Sequence, residues 1–497
     1  MMRSLLAAVL GLGVLPYATH ATHAPYDPHD PHATHATNAT HAPYDPYAPH
    51  ATHATHVPYA TYASQVQGAP ASGSFTFRDG RSRVLALTIG EVDGVSGIVW
   101  PELVDARWDT ALLGVQLRAD AGAAAPYLEI AAGSASDRQY FAPGDEGERW
   151  LNVTFLRGAM VGTRISLRGE GMVFTAPAAS LRLFDGGFDL SRSLLVLAPH
   201  PDDAEIAAFG LYANRNASVV TVTSGNAGAP TYEAVFDDLA DHYLFKGRIR
   251  VIDSITIPWQ GRIPPERTFN MGYFDARLAE MHDKRDAVVP EMYRANADIN
   301  VYRRENVGSL LPVRARESKW GNLVDDMLTV LKKVKPVVIA APHPQLDTHR
   351  DHQFTTVALS EALARWDRPV TFLLYTNHAD RGRYPYGPAG TLMSLPPPPG
   401  GNVVFDRVYS HPVSPALQRL KLFAIESMHD IRYSPTRQYQ LAQQDTRALA
   451  PEKVGPEPDI TYLRRGPRSN ELFYVYDRDS FTSMVKEFLA QRPPPKQ

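Results

Sequence analysis

The stretch SLLVLAPHPDDAEIAAFG, residues 193–210, decides the fold. Leu194–Ala198 is an unbroken apolar run, too short for a core helix and without the alternation of a half-exposed strand. It reads as a strand buried on both faces. Pro199 and Pro201 interrupt it, and Asp203 to Ala213 reads as a helix. Strand, tight loop and helix recur on the C-terminal side. Ser218–Thr223 is a second strand, followed by a glycine-containing loop, Ser224–Gly228, expected to line the cleft. Ile249–Ile252 reads as a third strand. Asn322–Lys333 is a helix feeding the strand Val337–Ala341, Asp351–Trp366 is another helix, and Val370–Tyr375 closes the series. Such alternation predicts an α/β domain with a mostly parallel sheet covered on both faces. Ligands in such sheets bind outside the carboxyl ends of the strands. Residues 256–316 show no clear pattern and are taken as an insertion that shapes the cleft. Residues 394–400 are proline-rich and read as loop.

Two clusters of metal-binding residue types fall at that edge. His200, Asp202 and Asp203 follow Leu194–Ala198; Asp347, His349, Asp351 and His352 follow Val337–Ala341. For Asp203 and Asp202 alone, helix capping and a favourable helix dipole are an adequate explanation. Two such clusters on one edge of one sheet point instead to a shared site. A hydrolytic zinc centre needs about three protein ligands and one open position. The chain has no cysteine, so His, Asp or Glu must supply them. His200, Asp203 and His352 give two imidazoles and one carboxylate. Asp202 is left beside the metal as a general base. His349 is left on the other side, where Asp351 could orient it and hold it protonated.

The pairing of His200-Pro201-Asp202-Asp203 with His349-Arg350-Asp351-His352 resembles the PIG-L/LmbE-like zinc de-N-acetylases, over roughly residues 190–430. The resemblance implies a Rossmann-like fold and removal of acetyl from N-acetylglucosamine units. It also implies zinc on His200, Asp203 and His352, Asp202 as base, and His349 as oxyanion stabiliser with Asp351 behind it. Lys421 resembles a late element of the family. Ala204 stands where the family usually has Glu, with Glu205 one position later, and Arg350 stands where the family often has Pro. No arginine follows Ser218–Thr223 as a substrate grip, and Arg314 or Arg316 is the substitute considered. Asn377, His378 and Arg381 are candidate sugar contacts, and His343 is read as structural. Cleavage of another small amide, such as a sugar–thiol conjugate, and non-catalytic zinc or glycan binding are the competing readings. Export argues against the first and Asp202 against the second.

Composition sets the frame around this domain. Net charge is −3 over 497 residues, which gives no general basic field for nucleic acid. Arg3, the apolar run Leu5 to Val14 and the small residues of Ala18 to Ala24 read as an export signal over 1–23, hence a periplasmic or secreted protein. Residues 24–66 belong to a repeat of Ala-Thr-His and Pro-Tyr-Asp-Pro units that carries nine histidines between His20 and His56. It lacks core-forming residues and is expected to be a disordered spacer. Residues 67–187 carry short β-rich runs between Gly, Asp and Pro breaks, as in a β-sandwich-like accessory domain. The catalytic domain is then 188–497. No later segment is long and apolar enough for a membrane helix, and the oligomeric state is not legible.

Overall fold

The computed structural model describes residues 75–103, 107–229, 231–232, 235–397, 403–431 and 466–492. The export signal and the histidine-rich repeat lie outside the described residues. A seven-stranded sheet organises the C-terminal part: β1 Leu194–Ala198, β2 Ala217–Thr223, β3 Thr268–Tyr273, β4 Val338–Pro342, β5 Thr371–Tyr375, β6 Arg407–Pro412 and β7 Asn470–Tyr476. Their spatial order is β3-β2-β1-β4-β5-β7-β6. The first five are parallel, and β7 runs antiparallel to both β5 and β6. Every residue of β1 and β4 is buried, as their unbroken apolar runs require. The order in which strands are added reverses between the parallel β1 and β4, and in this topology the cleft opens at that reversal.

Three readings of the sequence change here. Ile249–Ile252 is not a strand but part of the helix α2, Leu239–Thr256, whose N-cap Asp238 accepts from Ala240 N–H and Asp241 N–H. The buried face of α2 includes His242, Lys246, Arg250, Val251 and Ile255. Its helical period is carried largely by polar side chains, so a search for apolar periodicity misses it. The third strand is instead β3, inside the stretch that showed no pattern. Nor does β5 end the series: the antiparallel pair β7 and β6 extends the sheet. Both strands bury polar residues, among them Asn470, Glu471, Ser410 and His411.

Helix α1, Asp203–Tyr212, follows β1 and is nearly all buried. It kinks at Ala208 (φ −140°, ψ 15°). Glu471 on β7 meets the interruption, accepting from Gly210 N–H at 2.7 Å and Leu211 N–H at 2.8 Å. Lys421, on the helix Pro415–Glu426, donates to the same carboxylate at 2.7 Å, and both side chains are 1% exposed. Lys421 thus braces α1 from behind rather than reaching the two clusters. Glu471→Ala strands a buried ammonium and two amide groups. Denaturant unfolding is expected to show a loss of about 3–5 kcal/mol; a loss under about 1 kcal/mol contradicts this role.

The preceding residues form two antiparallel sheets, of four and five strands, around a common apolar cluster that includes Trp100, Leu113, Ile130, Leu151, Ile165 and Leu181. They dock against the β6 side of the large sheet. Asn152 Nδ2 donates to Ser410 Oγ at 2.8 Å, Ser410 N–H donates to Thr110 Oγ1 at 2.8 Å, and Thr76–Phe77 pairs in parallel with Val404–Phe405. All described residues, on both sides of 187/188, fall within one compact unit. Among the described residues, no helix is long and apolar enough to cross a membrane.

Candidate metal centre

The loop Pro199–Asp202 leaves β1 and is fixed at once to its neighbour: Thr223 N–H and Thr223 Oγ1 donate to Pro199 O at 2.9 and 2.8 Å. His200 N–H donates to Asp203 Oδ2 at 2.9 Å. On the other side of the reversal, Asp347 Oδ1 accepts from His349 N–H at 3.0 Å. This orders the turn into α4, Arg350–Leu363, on whose first turn His352 is buried. The two clusters meet. His200 Nδ1 lies 3.2 Å from Asp203 Oδ2 and 3.2 Å from His352 Nε2, and His352 Nε2 lies 3.0 Å from Asp203 Oδ2.

That triangle tests whether a cation fits. Donor atoms bonded at about 2.0–2.1 Å to one tetrahedral centre stand roughly 3.3 Å apart. The three edges are close to this, and the atoms are two imidazole nitrogens and a carboxylate oxygen. Hydrogen bonding alone cannot satisfy the set, because the N–N edge of two imidazoles needs a proton that neither has spare once both point at Asp203. The residues fit a small divalent cation, and ring nitrogens of His349 and His378 lie within 4.8 Å of members of the set.

Each of these groups is steadied from behind. His200 Nε2 lies 3.1 Å from Asp275 Oδ1 and 3.2 Å from Asp351 Oδ2. His352 Nδ1 lies 3.0 Å from Asp347 Oδ2, and Asn377 Nδ2 donates to Asp203 Oδ1 at 2.7 Å. A carboxylate behind an imidazole fixes its tautomer and raises its basicity toward a metal. Charge is concentrated here: Asp203, Asp275, Asp347 and Asp351 are all buried. Burial works against a charged His200, yet Asp275, Asp203 and Asp351 together hold its pKa well above the ordinary imidazole value. A centre this acidic calls for a positive charge at its middle.

Asp202 stands beside the triangle and outside it. It occupies the N-cap position of α1 without capping, at φ 146° and ψ −31°. Its Oδ2 accepts instead from Arg250 Nη2 at 2.9 Å. Burial pushes its carboxyl up to about 7, against the pull of Arg250. Glu205 points elsewhere: it accepts from Tyr212 OH at 2.8 Å, and burial raises it to about 8.

Asp351 sits differently from the expectation. Its carboxylate accepts from Ala276 N–H at 2.6 Å and Leu278 N–H at 3.1 Å and faces His200, not the imidazole of His349. His349 Nδ1 accepts from Asp351 N–H at 3.3 Å. Burial, with His200 and His352 nearby, lowers His349 to about 3, so it is neutral rather than held protonated. With Nδ1 accepting, the ring proton sits on Nε2.

Other candidates sort clearly. Asn377 joins the site; His378 N–H donates to Asp347 Oδ2 at 3.3 Å, and its ring stands 4.6 Å from that of His352. The side chain of Arg381 lies outside the described residues. His343 is fully buried, with Nε2 3.0 Å from Tyr476 OH. Arg316 pairs with Asp326 at 3.1 Å and Arg314 is exposed, so neither substitutes for a substrate grip. Sequence reasoning missed Asp275 and Arg250 and gave Asp347 no role. Asp275 follows β3 at the same sheet edge and becomes visible only once β3 is recognised.

Residues 195–363 match the family model described as PIG-L, GlcNAc-PI de-N-acetylase. These residues are similar to a PIG-L domain. The match runs from β1 through α4 and so takes in both clusters. No curated protein matches the chain significantly. Among solved structures, the chain is similar to the A40926 pseudoaglycone deacetylase Dbv21, at 15% identity and TM-score 0.31, over 58% of this chain and 98% of that one. It is similar to GalB, the 4-carboxy-2-hydroxymuconate hydratase from Pseudomonas putida KT2440, at 12% identity and TM-score 0.27, over 57% and 95%. A third is the acetyl xylan esterase Est2A from Butyrivibrio proteoclasticus, at 12% identity and TM-score 0.16, over 74% and 97%.

Proposed function

We propose that the protein is an exported zinc-dependent N-deacetylase that hydrolyses the acetamide of an N-acetylglucosamine-type sugar or glycoconjugate. The carrying observation is the triangle of His200, Asp203 and His352 with a non-ligand carboxylate, Asp202, beside it. The PIG-L match over residues 195–363 supports the same reaction class. When bound, zinc supplies Lewis-acid polarisation of the amide carbonyl and acidifies a water molecule.

The chain's own residues do the rest. Asp202 takes a proton from the attacking water and passes it to the departing nitrogen, so that amide and water give acetate and a free amine. Neutral His349 donates its Nε2 proton to the oxygen that gains charge. Asp351, Asp275 and Asp347 hold the two imidazoles in place, Asp351 acting through His200. A non-catalytic binder has no use for a carboxylate kept in strained backbone beside the metal. Release of acetate from a panel of N-acetylated glycans is the test; none from any member sinks the reading. His349→Ala should cost on the order of 10²–10³-fold in kcat, the scale for one oxyanion donor. An unchanged kcat removes His349 from the mechanism.

A further inference from the structure

We infer that Arg250 is a positioning residue for Asp202, clamping the loops after β1 and β2 into the geometry that catalysis uses. The inference rests on the proposed role of Asp202 as base. A backbone at φ 146° is unfavourable for any residue with a Cβ and persists only where its surroundings impose it. Arg250 imposes it. Its guanidinium donates to Pro201 O at 2.8 Å and to Asp202 Oδ2 at 2.9 Å through Nη2, and to Gly225 O at 3.2 Å through Nη1. Asp430 Oδ2 lies 3.2 Å from the same Nη1 and balances the charge. A planar fork reaches these groups at once; an ammonium does not.

The β2 loop is built around this contact. Gly225 has φ +65°, and a Cβ there would stand 2.6 Å from Arg250 Nη1 and 2.8 Å from its Cζ. Only Oδ2 of Asp202 is taken, and among the described residues no hydrogen bond reaches Oδ1, which is left for the proton. The side chains of Arg250 and Asp202 are 7% and 14% exposed, so the clamp works largely out of water.

The test is a pair of variants on the full chain with metal content checked: Arg250→Lys alone and combined with Asp202→Ala. Arg250→Lys should keep its metal and lose on the order of 10²-fold in kcat, the scale for a misplacement of about 1 Å, with little change in KM. In the Asp202→Ala background it should cost nothing further, because the residue it positions is gone. A second, multiplicative loss in the double variant, or a parental kcat for Arg250→Lys, overturns the inference. Gly225→Ala, which displaces the same guanidinium, should reproduce the kcat loss. A crystal structure of Arg250→Lys decides the point without turnover: Asp202 must leave φ 146°, and an unmoved Asp202 rejects the clamp. Near-parental activity of Asp202→Ala would instead reject the base while the crystallographic result still judged Arg250.

Discussion

Asp202→Ala is expected to keep its metal and lose roughly 10²–10⁴-fold in kcat, the range that removal of a general base covers. The separation follows from the geometry. His200 Nδ1, Asp203 Oδ2 and His352 Nε2 form the triangle, and Asp202 contributes none of its corners. Its carboxylate is engaged by Arg250 instead. Alanine keeps a Cβ at φ 146° and takes one carboxylate partner from the buried Arg250, so stability should hold or fall. Asp202→Asn keeps the size and the contact with Arg250 while removing the proton acceptor, and it should fall as far as alanine. Turnover close to the parent in either variant contradicts the mechanism.

Removing a corner of the triangle should act in the opposite sense, on binding first. His200→Ala, Asp203→Ala and His352→Ala each leave two donors where three are needed. Groups that only orient metal ligands typically contribute 10–100-fold in affinity. A lost ligand should therefore cost more than about 10²-fold. Asp347→Asn and Asn377→Ala, which touch His352 and Asp203 from behind, should fall within that smaller range. Metal analysis after dialysis reads the whole series. Full retention in any two of the three ligand variants defeats the assignment, as does a larger loss from Asn377→Ala than from His352→Ala.

Much of the sheet was legible because its central strands are plain apolar runs. β1 is Leu194–Ala198 as read, and β2, β4 and β5 differ from their readings by about a residue at one or both ends. The two clusters were legible because each comes directly after such a strand. What escaped notice was buried yet polar. The inward face of α2 carries His242, Lys246 and Arg250, the last two paired with Asp430 from outside the helix, and hydropathy alone cannot see it. Asp275 was hidden with β3, and β6 and β7 were hidden by polar residues that find partners on the neighbouring strand or on α1. The partner of Asp351 could not be read either: adjacency in sequence suggested His349, whereas the first turn of α4 aims the carboxylate at His200 and at the amides of Ala276 and Leu278.

Acetate release measured while zinc is titrated into metal-stripped protein, with an N-acetylglucosamine glycan as substrate, tests the central claim most directly. The account predicts no release without metal, a rise that saturates near one zinc per chain, and no such rise for His352→Ala. Release that is unchanged by a chelator, or none from any N-acetylated sugar at saturating zinc, would contradict it.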